Sequence, residues 1–166
     1  MRVTILTTGG TIEKTYNERD GSLRNYHTIL LKMLATLRLP DLEVTYDQVV
    51  LKDSLEMTKD DRVRILQATQ QALACSDAVM ILHGTDTLAQ TGELLHRELR
   101  DLFVPVILTG AMRPYEFRDT DALQNVTEVL LAARLVSPGV YVVMHNRVLR
   151  FPGVTKDVEK LTFTQS

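Results

Sequence analysis

Three continuous apolar runs, "DAVMILH" (77–83), "VPVILTG" (104–110) and "VYVVMHN" (140–146), constrain this chain more than anything else in it. Each is far shorter than the roughly 20 residues that cross a bilayer. None alternates with polar residues, so a strand built from any of them is buried on both faces. Only a sheet covered by helices on both sides buries strands that way, and such sheets are mainly parallel. The stretches between the runs have helical periodicity. Residues 86–102 put Leu88, Leu95, Leu99 and Leu102 on one stripe, and residues 120–135 bring Leu123, Val126, Leu130 and Ala133 into phase. Upstream, "VTILTT" (3–8) and "EVTYDQVV" (43–50) read as strands and "TILLKMLATLRL" (28–39) as a helix stopped by Pro40. "TKDDRVRILQATQQALA" (58–74) is the clearest helix, with Thr58 as N-cap, Asp60 and Asp61 in its first turn, and Val63, Leu66 and Leu73 on one face. Residues 13–27 are polar and read as a long exposed loop. Strand and helix alternate about five times. The expected fold is therefore α/β: one three-layer domain with a mainly parallel sheet, flanking helices and right-handed crossovers.

In such sheets ligands bind beyond the carboxyl ends of the strands. Those ends carry "TGGT", "KDSLEM", "HGTDT", "TGAMRP" and "HNRVLRFPGVTK". Small residues and hydroxyls recur there, with Asp86 and Lys156 as polar partners. Several other chemistries find no support. A net charge of -2 gives no reason to expect a nucleic-acid partner. The single cysteine, Cys75, can form neither an internal disulfide nor a CxxC zinc site, and its setting suggests a buried structural thiol. His27, His83, His96 and His145 have no metal-binding spacing, and His83, at the end of a buried strand, reads as a hydrogen-bonded scaffold residue. No membrane span, metal or organic cofactor is expected. "MRVTILTT" lacks the length of a secretory leader, so the cytoplasm is the expected location.

The stretch "LTTGGTIEKTY" (6–16) needs its own account. A phosphate loop ending at Lys14-Thr15 requires glycines at positions 8 and 13, which hold Thr8 and Glu13. A GxGxxG fingerprint fails because Thr11 follows Gly9-Gly10 directly. Two readings stay open on the residues alone. Gly-Gly can be a tight turn with Thr11 as a local cap. It can also hold Thr11 exposed at the sheet end as a nucleophile, which then needs a relay such as Thr85, Asp86 and Lys156. Ordinary structural roles exist for these partners too: Thr85 as a helix N-cap, Asp86 as a first-turn acid, Lys156 as a surface lysine and Ser54 as a turn serine.

Taken together and in this order, "TTGGTI", "DS..MT" (Asp53-Ser54, Met57-Thr58), "HGTDT", "TGAMRP" and "VTK" resemble the bacterial-type L-asparaginase family. The resemblance spans nearly the whole chain but only the family's N-terminal domain, and the smaller C-terminal domain is expected to be absent. It implies hydrolysis of L-asparagine to L-aspartate and ammonia, with glutamine as second substrate and no cofactor. Thr11 would be the nucleophile, and Thr85, Asp86 and Lys156 the relay. Asp86 would also bind the substrate's α-ammonium, and Ser54, beside Asp53, its α-carboxylate. The backbone around Gly10, Gly84, Thr85 and Ala111 would line the pocket. A lid tyrosine is implied, with Tyr16 preferred over Tyr26. The partners implied are a small amino-acid amide and further copies of the chain, as a homodimer or homotetramer. Position 55 is Leu55 and position 56 is Glu56, both departures from the family's pattern beside the serine. Two alternatives accompany this expectation: an amino-acid-binding module without turnover, and an amidase subunit of a larger amidotransferase assembly.

Overall fold

The computed structural model describes residues 1–165. A six-stranded sheet runs in the order β4-β1-β5-β6-β7-β8. Its strands are β1 (Arg2–Gly9), β4 (Glu43–Lys52), β5 (Ala78–Leu82), β6 (Pro105–Thr109), β7 (Gly139–Met144) and β8 (Arg147–Arg150). The first five are mutually parallel, and β8 closes the edge antiparallel to β7. The apolar runs are buried on both faces, as their lack of alternation requires. Val3, Ile5, Met80, Leu82, Ile107 and Val143 point to one side, and Leu6, Val79, Ile81, Leu108 and Val142 to the other. Helices α1 (Leu30–Leu34) and α4 (Ala122–Ala132) cover the first side, α2 (Lys59–Leu73) and α3 (Leu88–Glu98) the second.

That helix placement departs from the expectation of uniform handedness. The chain steps from β5 to β6 over one face through α3, and onward in the same direction from β6 to β7 over the opposite face through α4. Two steps in one direction over opposite faces have opposite hands. The crossovers through α1, α2 and α3 share one hand. The crossover through α4 is the left-handed exception to a strong general rule. The loop 110–121 supplies enough chain to change faces before α4 begins.

Other elements also differ from the sequence reading. Helix α1 has only five residues. Thr36 back-bonds through its hydroxyl to the Met33 carbonyl, and the chain turns away well before Pro40. The polar segment 13–27 contains a small hairpin, β2 (Thr15–Tyr16) with β3 (Leu23–Arg24). Two further strands, β9 (Val154–Asp157) and β10 (Thr162–Gln165), form a second hairpin near the C-terminal end. Cys75 is exposed just past the end of α2, where the amphipathic pattern has already stopped.

Helix α2 buries Asp61, Ile65, Thr69 and Ala72, while Val63 is 44% exposed. A carboxylate thus takes the first buried position of the stripe. Asp61 closes a capping box with Thr58 and binds Lys52 of β4 at 2.9 Å. The Thr58 amide, Lys52 and the Thr58 hydroxyl outweigh its burial and lower its pKa to about 2. A depressed carboxylate pKa stabilises the fold above the unfolded value of 3.8, and that stability is lost as pH falls toward about 2. Asp61→Asn is therefore expected to cost roughly 1–2 kcal/mol at pH 7. Urea denaturation of both proteins at pH 7 and pH 3 checks this, since the gap must narrow at the lower pH.

Candidate active site

The crevice between β1 and β5 is where the connections diverge. The chain leaves β1 toward the α1 face and leaves β5 toward the α3 face. Backbone ends are most open to a ligand at such a point. Thr11 and Thr85 follow these two strands.

Glycines set how closely the two ends approach. Gly10 has φ 81° and ψ -178°, a region essentially closed to residues with a side chain. A Cβ there would lie 2.4 Å from the Cα of Gly84, and a Cβ on Gly84 would lie 2.6 Å from the Ser54 Cβ. Gly10, Gly84 and Ser54 therefore stack without intervening side chains, bringing together the ends of β1, β5 and β4. The Gly10 amide fixes this further by donating to the Lys52 carbonyl at 2.9 Å. Thr11 opens a short 3-10 turn, Thr11–Glu13, and its hydroxyl has no hydrogen bond among the described residues.

Thr85 is buried, and it does not cap α3. The N-cap is Thr87, whose hydroxyl donates to the Ser54 carbonyl at 2.9 Å. That leaves the Thr85 side chain free for the crevice. Lys156, brought 71 positions along the chain, donates to Thr85 Oγ1 at 2.9 Å and to Asp86 Oδ1 at 2.6 Å. The Lys156 side chain is only 16% exposed. Its delivery has a packing cause. Phe151 rests its ring on Gly92 of α3, and the Gly153 amide donates to Glu93 Oε1 at 2.7 Å. These contacts dock β9 on the helix that begins just after Asp86. Thr85 offers its own proton to Met112 Sδ at 3.7 Å, a weak acceptor that a substrate atom or water can displace.

Ser54 lies at the start of a second 3-10 turn capped by Asp53, and its hydroxyl is buried with no partner among the described residues. An unpartnered buried hydroxyl costs stability unless something binds it. Ala111 is buried after β6. Its loop is held by Asp121, which accepts the amides of Met112 and Arg113, the Asn125 side chain and His145 Nε2. Burial pushes the Asp121 pKa up, but these donors prevail and keep it low. His83 is a scaffold residue, as its position suggested. It is fully buried, bonded to the Gly84 carbonyl and Thr91, and burial lowers its pKa to about 4.

Residues 13–27, the loop that the resemblance implies is a lid, are arranged unlike the sequence expectation. Tyr16 is exposed, and its hydroxyl lies by the hairpin turn at Gly21, while its amide donates to Glu116 Oε2 at 2.8 Å. Tyr26 bonds Ser22 in the same hairpin. The lid residue that reaches the Gly-Gly turn is Asn25, whose amide donates to the Gly10 carbonyl at 2.8 Å. Glu13 is fully buried and takes the Gly9 amide and the Thr28 hydroxyl, with burial raising its pKa against those donors. Lys14 pairs with Asp53 at 2.7 Å. Nothing in the motif pattern marked Asn25. Glu13 was visible only as a departure from a phosphate loop, and Lys14 only as that loop's expected lysine. Among the described residues no group of three or more His, Cys, Asp or Glu side chains is placed to hold a metal.

The family model described as "Asparaginase, N-terminal" matches residues 2–161. The L-asparaginase of Thermococcus kodakarensis is 31% identical over 156 residues, covering 94% of this chain and 48% of that protein. The structure of the thermostable L-asparaginase from that organism superposes with a TM-score of 0.89 at 29% identity, over 99% of this chain and 51% of the other. A subunit of the glutamyl-tRNA(Gln) amidotransferase of Methanococcus vannielii is 29% identical over 148 residues, 88% of this chain and 34% of that protein. The chain spans about half the length, or less, of these relatives. No helix among the described residues is long and apolar enough to cross a membrane. The match of residues 2–161 to the family model, with a superposable sheet and all five strand-end motifs in place, makes this chain a member of the asparaginase family.

Proposed function

We propose that the chain hydrolyses the side-chain amide of L-asparagine through a threonine acyl-enzyme. The observation that carries this reading is Lys156, held 2.9 Å from Thr85 Oγ1 and 2.6 Å from Asp86 Oδ1 beside the turn that presents Thr11. The Thr11 oxygen adds to the amide carbon, and its proton passes to the departing nitrogen. The C–N bond breaks and ammonia leaves. Water, deprotonated through Thr85 and Lys156, then cleaves the ester to give L-aspartate and free Thr11. Asp86 keeps Lys156 oriented and, with part of its surface open, faces the substrate's ammonium. Ser54 supplies its orphan hydroxyl to the α-carboxylate. Backbone amides near Thr85 and Ala111 stabilise the oxyanion, each worth roughly 3–4 kcal/mol in comparable hydrolases. Tyr16 would assist Thr11 only after the lid moves, since its ring now lies at the hairpin surface.

The test is ammonia release from L-asparagine and L-glutamine in parallel, with wild type and Lys156→Met. Release from asparagine that falls by roughly 10²-fold in Lys156→Met, the usual size of a proton-transfer contribution, supports the mechanism. Equal rates in the two proteins would remove Lys156 from it.

A second reading is favoured by the similarity to the amidotransferase component. In that reading this chain's same residues would release ammonia from glutamine for a partner protein. Glutamine turnover above asparagine turnover would select it.

A further inference from the structure

A cavity of about 500 Å³ opens between the lid hairpin and the turn after β4, lined by Lys14, Leu23, Arg24, Asn25, Asp53 and Glu56. It adjoins the catalytic crevice on two sides. Asn25 is bonded to the carbonyl of Gly10, next to Thr11, and Asp53 directly precedes Ser54, whose buried hydroxyl lacks a partner. The charges are sorted by wall. The lid wall carries the cations Lys14 and Arg24, and the opposite wall the anions Asp53 and Glu56.

One cross-cavity pair is closed, Lys14 to Asp53 at 2.7 Å. The other is open. Neither the Arg24 guanidinium nor the Glu56 carboxylate forms a side-chain hydrogen bond or ion pair among the described residues. Arg24 acts on Asp20 only at longer range. An open pair of opposite charges across a cavity this size is complementary to a group carrying both charges close together. The α-amino-acid head, one carboxylate and one ammonium on a single carbon, is such a group.

We propose that Arg24 and Glu56 are specificity residues that join Ser54 and Asp86 in reading the zwitterionic head of the substrate, Arg24 as a second partner of its carboxylate and Glu56 as a second partner of its ammonium. The lid's cationic wall and the Glu56 wall are drawn together by the substrate itself. This rests on the hydrolase reading above and adds that selectivity for an amino-acid amide is written into this chain's own lid and β4 turn.

The test uses three amides. L-Asparagine carries both charges, succinamate lacks the ammonium, and 3-aminopropanamide lacks the carboxylate. Glu56→Gln is expected to lower kcat/KM for asparagine about tenfold through KM, the size of one charge-assisted hydrogen bond. The penalty disappears with succinamate. Arg24→Gln behaves as the mirror image: about tenfold on asparagine and none on 3-aminopropanamide. Both side chains are exposed, and matched thermal unfolding of the variants excludes a folding effect. Equal penalties on the full and truncated amides, or none on asparagine, overturn the assignment. If wild type releases no ammonia from any of the three, the hydrolase reading fails. Calorimetry with L-aspartate then decides the recognition alone: about tenfold weaker binding in each variant upholds it, and unchanged or absent binding overturns it.

Discussion

Thr11→Ala is expected to lower kcat for amide hydrolysis by roughly 10³-fold or more, the scale on which removal of an acyl-forming nucleophile acts. Of the two crevice threonines, only Thr11 has a hydroxyl without a partner among the described residues. Thr85 is already engaged by Lys156. A hydroxyl that must attack substrate has to be free of other bonds, whereas one that relays a proton has to be in them. The loss should fall on kcat, with L-aspartate binding retained, because Ser54, Asp86 and the backbone of the pocket remain. Thr11→Ser should restore measurable turnover. Retention of more than a tenth of wild-type kcat in Thr11→Ala would move the nucleophile elsewhere, with Thr85 the first place to look.

Gly10→Ala is expected to lower stability by about 3 kcal/mol or more and to abolish activity in whatever folds. Two costs combine. The residue occupies a conformation at φ 81° and ψ -178° that a side chain resists, a penalty of about 1–3 kcal/mol. The added carbon would also sit 2.4 Å from Gly84 Cα, a backbone atom that cannot rotate aside, so overpacking adds about 1–3 kcal/mol more. For a chain of 166 residues that predicts a fall in Tm of roughly 6–12 °C, readable by differential scanning calorimetry. A variant with wild-type Tm would show that β1 and β5 do not approach through this contact. Gly21→Ala, where positive φ meets only the Tyr16 hydroxyl at 3.9 Å rather than backbone, supplies the comparison and should cost markedly less.

The sheet was legible because its central strands are short apolar runs, and burial on both faces leaves no other use for them. The candidate site could be placed where a strand end and a polar motif coincide, as at Thr11, Ser54 and Thr85, which the structure brings to one crevice. What could not be read depends on contacts between distant segments. The stripe on α2 was misplaced because Asp61 occupies a buried position that an apolar pattern skips, its charge being met by Lys52 and its own cap. Strands β9 and β10 were missed since β9 is buried by docking against α3 and β10 by lying against β9, β8 and β7, not by their own periodicity. The lid hairpin is polar, so nothing marked Asn25 as the residue that reaches the Gly-Gly turn.

The reversed hand of the β6–α4–β7 crossover matters for anyone who would transplant this site onto another doubly wound scaffold. Because the chain changes faces between β6 and α4, residues 110–121 pass along the lid. The Tyr115 amide meets the Ile12 carbonyl, Glu116 takes the Tyr16 amide, and Lys32 lies over the Tyr115 ring. An ordinary right-handed unit would carry that loop to the far face and leave the lid without its neighbour. Grafting Thr11, Thr85 and Lys156 onto such a host would reproduce the proposed catalytic groups while leaving their cover unsupported. The transferable module is therefore the motif set together with the one connection that breaks the usual rule.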